Sequence, residues 1–287
     1  MRTLYLSDLD GTLLNPSARL SDFSRDTLTD LIRQGMMFSY ATARSIHSAQ
    51  KVLDGFMPAH PVIVYNGAMI LDPQTLDILH LERFVPGEIE AIRAIFREFG
   101  LSPLVYGFVD GRERVSFLEK PAHPGVSHYL KSRAGDARLR PAADENRLFA
   151  GQPFYFTLIG DRTGLEDAHQ ALLRADLGQI TFQREIYRNE YWLEIMPRGA
   201  TKAHALAWLS RRLGAERTVC FGDALNDLPL FQAADEAYAV QNAHPDLKRL
   251  ARGILPSNAQ DGVTKFLRAH FFGKNPGALC VSDPEER

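Results

Sequence analysis

Asp8 and Asp10 flank Leu9, and Gly11 follows them at a point where the chain can turn sharply. The run before them, Thr3-Leu4-Tyr5-Leu6, is largely apolar and reads as a buried strand. Two carboxylates therefore emerge at a strand's C-terminal end, where open α/β sheets bind ligands. Acids this close repel each other, and burying them is costly unless a cation or a proton neutralises them. The pattern points to a metal site in which one carboxylate also acts as nucleophile or as acid and base.

Three more groups stand at the ends of expected strands. Ala41-Thr42-Ala43-Arg44 follows the strand 36–40 and offers a hydroxyl and backbone N–H groups at a helix start, an anion site. Lys202 opens a helix, a place the macrodipole disfavours for a cation, which favours a functional reason for it. Gly222-Asp223-Ala224-Leu225-Asn226-Asp227 follows the strand 218–221. This inventory of carboxylates, one lysine, one hydroxyl and N–H donors suits phosphoryl transfer. Mg²⁺ takes oxygen ligands, commonly one or two carboxylates with waters and a phosphate oxygen. Lysine and N–H groups spread the remaining phosphate charge. One aspartate can attack phosphorus and form an acyl-phosphate. Another can protonate the leaving oxygen and later take a proton from water.

Each residue also has a plainer reading. Thr42 suits a helix N-cap, as do Asp223 and Asp227 before Leu228 and Leu230. Arg44 suits a surface salt bridge as well as a substrate contact. His47, His123 and His204 lack metal-ligand spacing and read as ordinary. Phe182, Tyr191 and Trp192 fall at strand periodicity and read as core or domain interface before substrate stack. The joint occurrence of four groups in order favours chemistry over capping.

The elements that must position these groups alternate at first. Strands at 4–6, 36–41 and 61–65 are separated by helices at 21–34 and 45–53, with Ser21 or Ser24 capping the first. That order predicts a parallel sheet with helices on both faces. Asn66-Gly67 opens an expected hairpin with arms at 68–71 and 77–81. The character then changes. An amphipathic helix at 86–99 precedes strands at 104–109 and 112–118 around Asp110-Gly111, a hairpin signal. The polar stretch 121–146 carries no clear pattern. A strand at 154–160, a helix at 163–174 and strands at 179–184 and 191–196 complete an α+β insert. Alternation returns with helices at 201–213, 227–233, 244–252 and 263–272 and strands at 218–221 and 237–240. The expected division is a discontinuous catalytic core, 1–83 and 194–272, an insert at 84–193, and a tail at 273–287.

With 287 residues, 45% of them hydrophobic and 24% charged, the chain has ample material for such a core. A formal net charge of −2 gives no bulk attraction to nucleic acid or an anionic membrane. Two cysteines form no disulfide framework, and Cys220 reads as a buried thiol. No apolar run approaches the length of a membrane span, and Asp8 and Asp10 interrupt any apolar leader. A cytoplasmic protein is the expectation; the oligomeric state is not legible.

Asp8-Leu9-Asp10-Gly11-Thr12-Leu13-Leu14, Ala41-Thr42-Ala43-Arg44, Lys202 and Gly222-Asp223-Ala224-Leu225-Asn226-Asp227 resemble, in order, the four signature motifs of the haloacid dehalogenase superfamily. The insert, Asn66-Gly67-Ala68 and the stretch from Ser257 to Val263 resemble its Cof-type phosphatases. The resemblance spans about residues 1–272. It implies a Rossmann-like α/β core with an inserted α+β cap that closes over substrate. It implies a Mg²⁺-dependent phosphatase for small phosphate esters, such as sugar phosphates or phosphorylated cofactors. Asp8 would be nucleophile and metal ligand. Asp10 would be acid and base, with its carbonyl on the metal. Leu9, Thr42, Ala43, Lys202 and Asn226 would contact the transferring phosphoryl group. Asp223 would be the second carboxylate ligand, and Asp227 would bind metal-bound water or orient Lys202. Arg44 and Asn66 are possible substrate contacts, and specificity falls to insert residues such as Arg112, Arg114, Arg184, Tyr187 and Arg188. Ala43 and Ala224 replace frequent glycines, and the backbone path is expected to survive. Asp10 favours phosphate esters over halides, since a departing halide needs no proton. A phosphotransferase or phosphomutase using the same aspartyl-phosphate, or a non-catalytic sensor of a phosphorylated metabolite, are the alternatives.

Overall fold

The first strand, β1 (Thr3–Ser7), lies between two parallel neighbours, β2 (Met37–Tyr40) and the later β12 (Arg217–Gly222). The computed structural model describes residues 1–120, 123–184, 189–273 and 280. Helix α1 (Asp22–Arg33) links β1 to β2, and the Ser21 side chain caps it by accepting from Ser24 N. Helix α2 (Ile46–Leu53) follows β2, with Ser45 as its cap. β3 (Val62–Val64), β4 (Met69–Leu71) and β5 (Ile78–Leu81) then form an antiparallel sheet of their own. The third strand is therefore not a full member of the parallel sheet. It touches that sheet through one bridge, Ala41 to Ile63, because the tight turn at Asn66-Gly67 folds it back onto β4 instead.

The insert follows: α3 (Glu88–Glu98), β6 (Leu104–Val109), β7 (Arg112–Leu118), α4 (Pro124–Ser132), β8 (Leu139–Ala142), α5 (Glu145–Leu148), β9 (Gln152–Gly160), α6 (Arg162–Arg174), β10 (Gln179–Arg184) and β11 (Tyr191–Met196). The polar stretch that lacked a pattern holds α4, β8 and α5. β8 and α5, of four residues each, are too short for periodicity to show. The six strands run in the order β10-β11-β9-β6-β7-β8. Their core packs Ile92, Phe96, Phe156, Leu158, Leu165, Leu172, Leu193 and Ile195. Phe182 and Tyr191 rest against it, which upholds the core reading for both.

The chain re-enters the first unit with α7 (Lys202–Leu213), β12, α8 (Leu228–Ala233), β13 (Glu236–Val240), α9 (Pro245–Leu250), β14 (Gly253–Leu255) and α10 (Gly262–Phe271). The five-stranded parallel sheet has the order β14-β13-β12-β1-β2. Leu4, Leu6, Met37, Cys220, Leu206, Leu209 and Leu230 form one layer of its core, with Cys220 fully buried. Phe221, Tyr238 and Phe266 pack together elsewhere in the same unit. Burying these apolar side chains on the two faces supplies the main drive for this layering.

The two compact units are 1–81 with 200–287, and 82–199. The insert is wider than expected at its C-terminal end because β11 pairs along its length with β10 and β9. Arg198 is also tied back, donating to Asp176 Oδ1 at 2.9 Å. Of the expected tail, residues 274–279 and 281–287 lie outside the described residues, as do Tyr187 and Arg188.

Candidate active site

The parallel sheet delivers three of the four sequence groups to one edge. β1 is flanked by β12 and β2, and each strand ends just before a group: Asp8, Asp223 and Thr42. Asp8 N donates to Phe221 O at 2.9 Å, so the β1–β12 ladder reaches the aspartate itself. The chain then makes a wide turn over Leu9–Leu13, closed by Leu14 N donating to Leu9 O at 2.8 Å. Gly11 takes φ +75° within it, a conformation that costs glycine little.

The fourth group arrives from α7. Thr201 caps that helix by accepting from His204 N, and Lys202 is its first residue. Its ammonium is buried and donates to Asp8 Oδ1 at 2.5 Å and to Asp227 Oδ1 at 2.6 Å. The unfavourable helix position is thus offset by two carboxylates. Burial works to lower the Lys202 pKa, but Asp227 and Asp8 outweigh it and hold the side chain protonated. Asn66-Gly67 positions the helix start: a Cβ on Gly67 would stand 2.3 Å from Thr201 O.

Asp227 is fully enclosed. Its Oδ2 accepts from Asp223 N at 3.1 Å and Ala224 N at 3.2 Å, while its Oδ1 takes Lys202. Both oxygens are engaged, so Asp227 orients Lys202 and shapes the loop that carries Asp223. Asp223 Oδ1 accepts from Thr12 Oγ1 at 2.8 Å. Thr12 is a residue that motif reasoning passed over, although it follows Gly11 directly. Asn242 was also missed; it donates to Gly11 O at 2.7 Å from just past β13. Its signal was its place after the strand 237–240. Asn258 donates to Leu14 O at 2.8 Å and pins the far end of the turn.

Asp8, Asp223 and Asp227 each bring a carboxylate oxygen within 4.8 Å of the other two. Three carboxylates face one ammonium, with Asp8, Asp227 and Lys202 buried and Asp223 partly so. Burial and the neighbouring acids both act on Asp8 and Asp223. Burial first, and then Asp227, push Asp223 up to about 7. Burial raises Asp8 well above the usual range, and Lys202 only partly opposes it. A hard divalent cation would offset this excess, and carboxylate oxygens are the donors it prefers. The donor set of Asp8, Asp223 and Asp227 therefore fits a hard divalent cation such as Mg²⁺, and Asp227 also holds Lys202.

The Asp10 side chain takes no part in that cluster. Its carboxylate is about half exposed and pairs with Arg44, which donates from Nε to Oδ2 at 2.7 Å and from NH2 to Oδ1 at 2.6 Å. Thr42 is buried, and its N–H is taken by Ile63 O at 3.0 Å. Its Oγ1 accepts from Arg44 N at 3.1 Å. Two of the expected free N–H groups are thus already used, and the anion site narrows to the Thr42 hydroxyl and the exposed Ala43. Thr42 is not a helix cap, because Ser45 fills that role. Neither Ala43 nor Ala224 has positive φ, so alanine fits both backbones. Asn226 Nδ2 donates to Asn66 Oδ1 at 3.2 Å, which joins two residues chosen separately from sequence. In the insert, Arg114 donates to Ala137 O and Arg184 to Asn189 Oδ1, while Arg112 is exposed. His123 caps α4, accepting from Gly125 N at 3.0 Å.

The family model described as haloacid dehalogenase-like hydrolase matches residues 5–267. The chain is 28% identical over 254 residues to HMP-PP phosphatase of Cronobacter sakazakii, covering 86% of this chain and 87% of that one. It is 27% identical over 255 residues to HMP-PP phosphatase of Klebsiella pneumoniae, again covering 86% and 87%. A haloacid dehalogenase-like hydrolase from Bacteroides thetaiotaomicron shares the fold, with TM-score 0.73, 24% identity and coverage of 92% and 98%. With four motifs assembled around one sheet edge and a family match across most of its length, the chain belongs to the haloacid dehalogenase-like hydrolases.

Proposed function

We propose that the protein is a Mg²⁺-dependent phosphatase that hydrolyses small phosphate monoesters through an aspartyl-phosphate on Asp8. The observation that carries this reading is the buried Lys202, bonded at once to Asp8 and Asp227 beside Asp223. The relatives named HMP-PP phosphatase support a small phosphorylated substrate. When bound, Mg²⁺ would supply charge neutralisation for the phosphoryl oxygens at Asp8 and Asp223.

Asp8 attacks phosphorus, the new Asp8 O–P bond forms, and the ester P–O bond breaks. Asp10 gives its proton to the leaving oxygen. It then takes a proton from the water that splits the aspartyl-phosphate, releasing inorganic phosphate. Lys202 holds the phosphoryl oxygens and fixes Asp8 for attack. The Thr42 hydroxyl and Asn226 are further donors to that group. Substrate selection is assigned to the insert.

The test is turnover on a panel of phosphate esters, with inorganic phosphate as the product measured. Wild type should release phosphate with Mg²⁺ and lose turnover in chelator. Asp8→Asn and Asp10→Asn should fold normally and lose turnover. Full activity in purified Asp8→Asn would overturn the reading, and transfer of phosphate to an acceptor would replace hydrolysis with phosphotransfer.

A further inference from the structure

We infer that Arg44 is the positioning residue for Asp10, aiming its carboxylate at the leaving oxygen, and is not a ligand of the phosphoryl group. The inference rests on the phosphatase reading above. Its basis is a contrast among the site's carboxylates. Asp8, Asp223 and Asp227 are buried or nearly so, and are fixed by Lys202, Thr12 and backbone N–H groups. The Asp10 side chain is 48% exposed. Among the described residues, Arg44 is the hydrogen-bond partner its carboxylate has. An exposed carboxylate on a turn samples several rotamers, and ordering it costs entropy. A two-pronged guanidinium pairing removes that freedom, because the planar fork matches both oxygens at once.

Arg44 is itself well anchored. Its NH1 donates to Ser48 Oγ at 3.2 Å. Its backbone N donates to Thr42 Oγ1 at 3.1 Å, and its carbonyl accepts from Tyr65 N at 3.0 Å. The side chain therefore transmits the position of the Thr42 loop and of α2 to Asp10. Nε and NH2 already point at Asp10, and NH1 at Ser48. This leaves the fork turned toward the acid and base rather than toward an incoming phosphoryl group. In the first half-reaction the Asp10 proton moves to the leaving oxygen as the ester P–O bond breaks. While Asp10 carries that proton, Arg44 donates to its other oxygen alone, and the carboxylate so formed accepts from both prongs of the fork.

A positioning role has a signature that a phosphate-binding role lacks. A nitrophenolate leaves without a proton, whereas an alkoxide needs one. Wild type, Arg44→Ala, Arg44→Lys and Asp10→Asn are compared on p-nitrophenyl phosphate and on glycerol phosphate, both with Mg²⁺. Arg44→Ala should lower kcat on the alkyl ester by about 10- to 100-fold, the scale expected for a misplaced acid. Its KM should stay near the wild-type value, and the loss on the nitrophenyl ester should be several-fold smaller. Asp10→Asn should show the same ordering of the two esters. Arg44→Lys should resemble Arg44→Ala, because a point donor cannot hold both oxygens. It also carries the test if the alanine variant does not fold. Equal losses of kcat/KM on both esters, which reports the ester-cleaving half-reaction, overturn the inference. So does a common rise in KM together with weaker inhibition by inorganic phosphate. A wild-type protein inactive on every ester, or an active Asp8→Asn, overturns the phosphatase reading instead.

Discussion

Gly11 stands where any side chain would collide with Asp223: a Cβ there would lie 2.2 Å from Asp223 Oδ2 and 2.8 Å from its Cγ. The turn carrying Asp8 and Asp10 thus meets the Asp223 loop through a missing side chain. Gly11 is also at φ +75°, so alanine is strained there before it touches anything. Gly11→Ala should displace Asp223 and lower kcat by about 100-fold, as ångström-scale misplacement does. Calorimetric titration with Mg²⁺ should show weaker binding in the same variant. Unchanged Mg²⁺ affinity would argue that Asp223 does not hold the metal.

Gly67 and Gly35 separate strain from collision. Both have positive φ, at +100° and +94°, but only Gly67 has a neighbour in the way, the Thr201 carbonyl. Gly35→Ala should cost about 1–2 kcal/mol of stability from backbone strain and leave turnover near wild type. Gly67→Ala should destabilise more and also reduce turnover, since moving Thr201 moves Lys202. Denaturant unfolding with parallel activity assays checks both.

Lys202→Met removes a charge and keeps most of the apolar stem. Asp8 and Asp227 are then left as buried carboxylates without their shared cation. Losing one partner of a buried pair costs about 3–5 kcal/mol. The loss should be largest in chelator and smaller at saturating Mg²⁺, because the metal supplies part of the missing positive charge. Turnover should vanish in either condition. Urea unfolding of the variant with and without Mg²⁺ measures the difference.

Asp223 predicts a pH dependence for the metal-free protein. Its folded pKa is raised from 3.8 to about 7, chiefly by burial. Between these values the folded state binds more protons than the unfolded state, so stability must fall as pH rises. The contribution is fully present below pH 3.8 and is lost as pH passes about 7. Mg²⁺ reverses the preference by stabilising the ionised form. The rise in thermal midpoint caused by Mg²⁺ should therefore be larger at pH 8 than at pH 5. A Mg²⁺ effect equal at both pH values would show that the cation binds away from this carboxylate.

The sequence by itself determined the local features. Ser21 caps its helix because its hydroxyl accepts from an N–H three residues on, and such a bond needs no distant partner. Asp110-Gly111 turns the β6–β7 hairpin because both residues reach positive φ, at 51° and 72°. Three of the four chemical groups were legible for a related reason, since each sits at the end of an apolar run that marks its strand, and Lys202 stood out as a cation at a helix start. Tertiary structure alone decided the partners. Pairing β3 with β4 rather than placing it fully in the parallel sheet depends on competing hydrogen-bond edges that lie apart in sequence. Lys202 meets Asp8 across 194 positions of chain, and that contact exists only because β12, β1 and α7 pack around one core. Arg44 offered a substrate contact and a surface salt bridge on equal terms. Its place opposite Asp10 follows from β2 lying beside β1, a neighbour relation set by burial of the whole sheet.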